Sequence, residues 1–364
     1  MGPRYLVQLV ASTVLLLAGV CALNLIIDPA GLYGLRNNSP EHYARVLAKS
    51  EYGLWWPADS FDERAIKAGL LRFGPPADCI VIGSSHAMQI GNAVLPPSLR
   101  ADCGSLLNAA VSGAGLEDHL ALAAITRRYR TPRHILFGIA PWTFALGKDV
   151  RWTRYADDYA EARRLIQGKE TTASPQLDAI RNLVSFEYTQ RSIKAALKRS
   201  PGQQAIMPAG PPAIDPDRGG QHAVLRSDGS LVYSADYIAR ASQAVIPPGG
   251  SAYKTEGALN EPEAIALYRS MLEWLMREDI KPVLLLTPYH PTVWDDANSA
   301  NRRAMLQTEA IVRDIARSLS LQVIGSYDPL LTGCTRSEFF DFMHARAKCL
   351  DRLEVLPATA GAAQ

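Results

Sequence analysis

The chain has 364 residues, 48% hydrophobic and 20% charged, and its 38 Lys and Arg against 36 Asp and Glu leave a formal net charge of +2. That balance lacks the clustered basic excess of a nucleic-acid binder and the high net charge of a disordered chain. Five Cys and 26 Gly are too few for a disulfide-dense or collagen-like protein, and only one stretch is apolar enough to cross a bilayer, which argues against a polytopic membrane protein.

That stretch comes first. Tyr5 to Ile27 carries no charge and exceeds the roughly 20 apolar residues that a spanning helix needs. Arg4 before it and Asp28 after it point to an N-terminus inside and a body outside. A cleaved signal has an apolar core of only about 7–15 residues. A lipoprotein signal wants a small residue where Val20 precedes Cys21, and a buried core helix would show a polar face at helical spacing. The expectation is an uncleaved signal anchor over 1–27, single-pass in the cytoplasmic membrane, with the body extracytoplasmic (periplasmic). Residues 28–75 read as a linker closing in a short helix near 61–72.

From residue 76 short apolar runs alternate with helical patterns. The runs 79–83, 106–110, 134–138, 282–287 and 321–324 read as buried strands. Helices are predicted over 116–130, behind the start signal Asn260-Glu-Pro-Glu263 with the apolar stripe Ile265, Tyr268, Leu272, Leu275 and Met276, and over 299–319. Alternation of this kind implies an α/β domain over 76–350 with a parallel sheet of about five strands, and then a flexible tail over 351–364. Residues 143–258 break the pattern. They hold a charged helical part (156–198), a Pro/Gly-rich stretch (201–220), and the turn signal Ser227-Asp-Gly-Ser230 before Leu231-Val-Tyr233, which predicts a hairpin. An insertion of this length is expected to form a lid or binding surface beside the strand ends. Outside the apolar start there are four cysteines, Cys79, Cys103, Cys334 and Cys349. The first two sit at neighbouring strands and the last two flank a C-terminal motif, so all four are disulfide candidates in an oxidising compartment; four free thiols are the plainer alternative.

Chemistry-bearing residues fall at two places. Gly83-Ser84-Ser85-His86 follows the first strand, and ligands of open α/β sheets bind at the carboxyl ends of the strands. A serine there, at the start of a following helix, lies beside a partly positive helix end, which suits a nucleophile whose attack creates an oxyanion. The same small residues also make plain turns or bind phosphate. Far downstream, Asp341 and His344 are spaced to share one face of a helical turn. They supply the base that a serine nucleophile needs and the carboxylate that orients it; a solvated surface turn is the plainer reading.

Together these pieces resemble the SGNH/GDSL hydrolase superfamily, over 79–146 and 280–350 and not over the insertion. The resemblance implies a flavodoxin-like, three-layer fold with Ser85 as nucleophile and His344 and Asp341 completing a triad. Asn108-Ala-Ala-Val-Ser-Gly113-Ala-Gly115 is similar to the family's glycine block. It implies an oxyanion hole from the backbone N–H groups of Gly113 and Ser85, with Asn108 beside the substrate. The family's third block usually carries an Asn that helps this hole. Here Gly138-Ile-Ala-Pro141-Trp142 has none, and one such donor is typically worth roughly 3–4 kcal/mol. Trp142 is a candidate apolar or sugar-stacking wall. His290 is a candidate substrate contact or rival base, against a structural loop histidine, and His86 is assigned a structural place behind Ser85.

An anchored chain with Gly-Ser-Ser after the first strand is similar to envelope proteins of O-acylation systems, of the alginate O-acetylation and teichoic-acid D-alanylation type. That implies a serine esterase or O-acyltransferase acting on a polysaccharide or other acylated glycan, beside a membrane-bound O-acyltransferase. The alternative is a non-catalytic envelope protein that binds glycan or recruits that acyltransferase, which the missing Asn favours. A phosphate-binding module at Gly83 would leave Asp341 and His344 unexplained. No metal or cofactor is expected: C-x-x-C spacing is lacking, His119, His134 and His222 are scattered, and no phosphate or dinucleotide loop occurs. Arg127, Arg128, Arg130 and Arg133 fall at the opposite sheet edge, as a solvated face or a contact to anionic lipid.

Overall fold

In the computed structural model, residues 3–28, 40–56, 62–168, 183–198, 218–243, 245–250 and 259–357 are described, with positions 180, 210, 215 and 216. A small antiparallel sheet joins β1 (Leu54–Trp56), β5 (Ala223–Leu225) and β6 (Leu231–Val232). The main sheet is parallel and holds β2 (Cys79–Gly83), β3 (Leu106–Asn108), β4 (His134–Gly138), β7 (Lys281–Leu286) and β8 (Gln322–Gly325) in the order β3-β2-β4-β7-β8. These are the five strands read from the apolar runs. Numbered within the sheet, the order is 2-1-3-4-5, whose direction reverses beside β2; such a switch point opens a crevice at the carboxyl ends of the strands.

Side chains alternate across the sheet and both sets are buried. Ile80, Ile82, Leu107, Ile135, Phe137, Leu284, Leu286 and Val323 face one layer, and Cys79, Val81, Leu106, Leu136, Val283, Leu285 and Ile324 face the other. Helices Leu116–Tyr129, Pro262–Arg277 and Ala300–Leu319 connect strands that step in one direction. The right-handed crossover rule places all three on one face, and they pack there in a single core. The connection from β2 to β3 steps the other way and covers the opposite face, helped by the chain after β8. The third layer therefore exists, but loops and single turns build it instead of long helices. Two disulfides tie it down: Cys79–Cys103, with Cα atoms 5.4 Å apart, and Cys334–Cys349, 5.5 Å apart.

Three boundaries differ from the sequence reading. Within 28–75 the chain forms helix Pro40–Lys49, strand β1 and helix Glu63–Phe73, so this region is packed structure and not only a linker. The supposed tail stays on the sheet through residue 357. Gly325 N–H donates to Glu354 O (2.9 Å) and Leu356 N–H to Val323 O (3.0 Å), covering the edge of β8. The insertion begins inside the main core: Trp152, Tyr155, Tyr159 and Ala162 pack with the helices that cover the sheet. Its predicted hairpin forms as β5 and β6. Most of the Pro/Gly-rich stretch, residues 29–39 and 57–61, and 358–364 lie outside the described residues.

The arginine cluster is used within the molecule. Arg130 donates to Leu70, Leu71 and Gly74 carbonyls at the end of helix Glu63–Phe73, and Arg127 pairs with Glu278. The N-terminal helix Pro3–Ile27 is long and apolar enough to cross a membrane.

Glu117, in the first turn of Leu116–Tyr129, is buried and accepts from Gly147 N–H at 2.6 Å. Burial pushes its carboxyl up from 4.5 to about 7 against that backbone bond, with Asp118 and Asp149 adding to the rise. The folded state thus holds a proton that the unfolded chain has released. Stability is full below the ordinary value of 4.5 and is lost as pH rises through about 7. The loss should be on the order of 3 kcal/mol. Glu117→Gln keeps the acceptor and should abolish the loss. Thermal midpoints of the full chain in detergent, followed from acid to neutral pH, check this; parallel curves for the two proteins would refute it.

Candidate active site

Strand β2 ends in Gly83, and the chain turns at once. A Cβ at Gly83 would lie 2.8 Å from Gly138 O, and one at Gly138 would lie 2.8 Å from the Ala87 Cβ. With neither present, the turn carrying Ser85 packs directly onto the end of β4. That turn is a single 3-10 turn, Ser85–Ala87, not the start of a longer helix, so the expected helix-end charge beside Ser85 is absent. Asn108 supports the turn from below. Its amide donates to Ala87 O (2.8 Å) and Ile90 O (2.7 Å), and its Oδ1 accepts from Ala110 N–H (2.9 Å) and Lys67 Nζ (3.3 Å). Asn108 is 1% exposed, and its polar atoms are committed to the chain, which corrects its reading as a substrate contact.

The second half of the site is a loop closed by the bridge between Phe339 and Ala345. Asp341 and His344 meet there without a helical turn: Asp341 Oδ1 accepts from the N–H groups of Met343 and His344, both at 2.8 Å. An Asp that bonds its own downstream backbone bends the chain by itself, so a spacing of three brings the groups together by a different local structure from the one expected. Asp341 Oδ2 then lies 2.7 Å from His344 Nδ1, and His344 Nε2 lies 2.8 Å from Ser85 Oγ. A carboxylate only accepts, so Nδ1 carries the proton, and Nε2 is left to accept from the serine hydroxyl. Burial pushes the Asp341 carboxyl up, but the His344 ring and the two backbone N–H groups outweigh it and hold the group well below the usual carboxylate range. The arrangement is that of a general base oriented by an ionised acid and bonded to a nucleophile.

Two residues absent from the sequence reading hold this geometry. Gln89 Nε2 donates to Ala345 O at 2.5 Å and ties the nucleophile turn to the histidine loop. Tyr237, from the insertion, donates its hydroxyl to Asp341 Oδ2 at 3.0 Å. It stacks on Tyr233, which packs edge-on against Phe340. A signal for Tyr237 did exist: Ser234 caps helix Ala235–Ser242, and Tyr233 and Tyr237 are spaced to share one face.

Gly113 sits in the turn after β3 at φ +61°, where a side chain would be strained. The turn is braced on both sides. Ser112 N–H donates to Glu63 Oε2 (2.8 Å), and Trp142 Nε1 donates to Ala114 O (3.0 Å). Trp142 is 2% exposed, so it is a buried brace and not an open stacking wall. His290 has structural partners, the second of its two readings: its Nδ1 accepts from Thr292 N–H (3.1 Å), and its backbone N–H donates to Phe342 O (3.2 Å), linking the loop after β7 to the Asp341 loop. His86 is 3% exposed, and its ring lies edge-on to Trp142, Tyr289 and His344. Neither ring nitrogen has a hydrogen-bond partner. Burial, with His344 adding to it, lowers its pKa to about 3, so the ring is neutral. Among the described residues no group of His, Cys, Asp and Glu could hold a metal ion.

No family model matches the chain, and no curated protein matches it.

Tyr237→Phe removes one bond to a half-buried, ionised carboxylate, worth about 1.5 kcal/mol. The labelling rate of Ser85 by a serine-directed phosphonate should fall by about tenfold or more with the fold retained; an unchanged rate would remove Tyr237 from the site. Cys334→Ser opens a loop spanning 15 residues that carries Asp341 and His344, which should cost about 3 kcal/mol of stability, read as a lowered thermal midpoint.

Proposed function

We propose that the chain is a membrane-anchored, extracytoplasmic SGNH-like serine esterase or O-acyltransferase that acts on acyl groups of a cell-envelope or exported polysaccharide. One observation carries the reading: the unbroken hydrogen-bonded chain from Ser85 Oγ through His344 to Asp341. It joins residues from opposite ends of the domain at the switch point of the sheet, where a ligand crevice is expected. The two disulfides and the apolar N-terminal helix support a location outside the cytoplasm. A membrane-bound O-acyltransferase is the proposed partner.

In this mechanism Ser85 Oγ attacks the acyl carbonyl carbon while its proton passes to His344 Nε2. Asp341 stabilises the resulting imidazolium. The backbone N–H groups of Ser85 and Gly113 are the proposed donors to the oxyanion. The turn holding Gly113 is braced by Glu63 and Trp142, which keeps such a donor from reorganising during the reaction. Collapse expels the alcohol oxygen, which takes the proton from His344 and leaves an ester on Ser85. Water or a sugar hydroxyl, deprotonated by His344, then attacks that ester and frees the serine. The third-block Asn is missing, and His86 is a side chain beside the triad with hydrogen-bonding capacity to spare. A neutral imidazole has one donor and one acceptor to offer.

A fluorophosphonate should attach to Ser85, detected by mass spectrometry of the full chain, and Ser85→Ala should lower esterase activity on acylated sugars by about three orders of magnitude or more. An unmodified Ser85, together with unchanged polymer acylation in cells carrying Ser85→Ala, would discard the catalytic reading in favour of a recruiting protein.

A further inference from the structure

The last turns of the N-terminal helix are covered by one particular element, helix Phe186–Lys198. Every residue from Arg4 to Gly19 is exposed, and cover begins at Val20. Asn24 is fully buried: its Nδ2 donates to Leu183 O (2.7 Å) and Thr189 Oγ1 (2.9 Å). Asp28, which leaves the helix at φ +41°, accepts from the Tyr188 hydroxyl at 2.8 Å. Tyr188 and Ser192, four apart on one face of Phe186–Lys198, are both buried.

The length of the apolar helix sets where this contact lies. A bilayer core of about 30 Å takes up about 20 residues at 1.5 Å each. Counted from Tyr5, that thickness ends at about Asn24. A spanning helix therefore leaves the hydrocarbon where Leu183, Tyr188 and Thr189 grip it, and Phe186–Lys198 is held at the membrane boundary.

The other face of Phe186–Lys198 carries an uncovered apolar stripe, interrupted by one exposed polar residue, Gln190. Phe186, Ile193 and Leu197, seven and four residues apart, form one stripe, with Phe186 78% and Leu197 82% exposed. Val184, just before the helix, is exposed as well. In sequence the helix holds Arg191, Lys194 and Lys198 against one acid, Glu187. An apolar stripe with a basic excess is the composition of a helix that lies in a lipid interface.

We infer that Phe186–Lys198 is an interfacial membrane helix, with the Phe186, Ile193 and Leu197 stripe seated at the boundary of headgroups and acyl chains. The occupant of the exposed face is the outer lipid surface of the membrane that the N-terminal helix crosses. The inference rests on the anchor reading. Its consequence is that the body does not swing on a tether, because a second element beside the N-terminal helix fixes its height against the bilayer.

The test uses the full chain with Cys21→Ser and single nitroxide labels at Val14→Cys, Leu197→Cys or Arg317→Cys, reconstituted in vesicles of phosphatidylcholine and phosphatidylglycerol. Collision with oxygen, which concentrates in lipid, is compared with collision with a water-soluble nickel chelate. The expected result is a label at 14 in the bilayer core, a label at 317 in water, and a label at 197 with an oxygen-to-nickel ratio several-fold above that at 317. A label at 197 that matches 317 while 14 stays in the core overturns the inference and leaves the anchor standing. Protection of 197 from both reagents overturns it in favour of a protein cover. A label at 14 open to nickel removes the anchor and this inference together.

Discussion

The order of the strands governs the rest of the molecule. Three crossovers step the same way and put Leu116–Tyr129, Pro262–Arg277 and Ala300–Leu319 on one face of the sheet. The connection from β2 to β3 and the chain after β8, joined by Leu231 of the insertion, cover the other. These two segments contain Ser85 and the Asp341 and His344 pair. Both are irregular, so few backbone bonds of regular structure offset the entropy of ordering them, about 1–2 kcal/mol per residue. Cross-links make up the difference: the two disulfides, the Gln89 bond to Ala345 O, and the Asn108 amide under the serine turn. The hydrogen-bonded geometry of Ser85, His344 and Asp341 lies on the helix-poor face and depends on those fixings.

The insertion belongs to the same support. Its hairpin turn donates Leu231 N–H to Met88 O (2.8 Å), and Asn108 N–H donates to Asp228 O (2.7 Å). Lys67, 1% exposed, sends its ammonium to Asn108 O (3.0 Å) and Gly229 O (2.6 Å). Burial lowers its pKa from 10.5 to about 8, although Glu63 and Asp228 pull it the other way. A buried charge persists only when its donors are satisfied, and here the acceptors come from helix Glu63–Phe73's neighbour β3 and from the insertion together. Removing the insertion would strand a lysine and the serine turn, so the segment is part of the domain's folding unit.

The five strands were legible because both faces of a parallel sheet are buried, and burial writes continuous apolar runs into the sequence. The hairpin was legible because Asp228-Gly229 demands a turn. The motifs were legible because reactive side chains sit at fixed distances from strand ends. What covers each face was not legible, since an apolar run records burial and not the identity of its partner. Asn108 is placed beside the substrate by resemblance alone, and the sequence leaves Trp142 and His290 open between a substrate contact and a structural place. Asn108 and Trp142 find their partners in backbone atoms of other segments, Ala87 O and Ala114 O, and His290 finds one in Thr292 N–H two residues on; backbone atoms leave no mark on sequence pattern. Asp341 and His344 came out together for a local reason, an Asp side chain bending its own loop, that the spacing alone could not distinguish from a helix.

The insertion also touches both ends of the proposed function. Its early helix grips Asn24 and Asp28 at the foot of the N-terminal helix, and its later helix sets Tyr237 on Asp341. The insertion also packs against the main core, through Trp152 and Tyr159 before these contacts and through the hairpin on the serine turn between them. A polymer-modifying enzyme on a flexible tether would sample its substrate in every orientation. In this chain the insertion that bonds Asp341 also holds the foot of the N-terminal helix. On the proposed function, orientation against the bilayer and support of the Ser85, His344 and Asp341 geometry would both rest on one insertion.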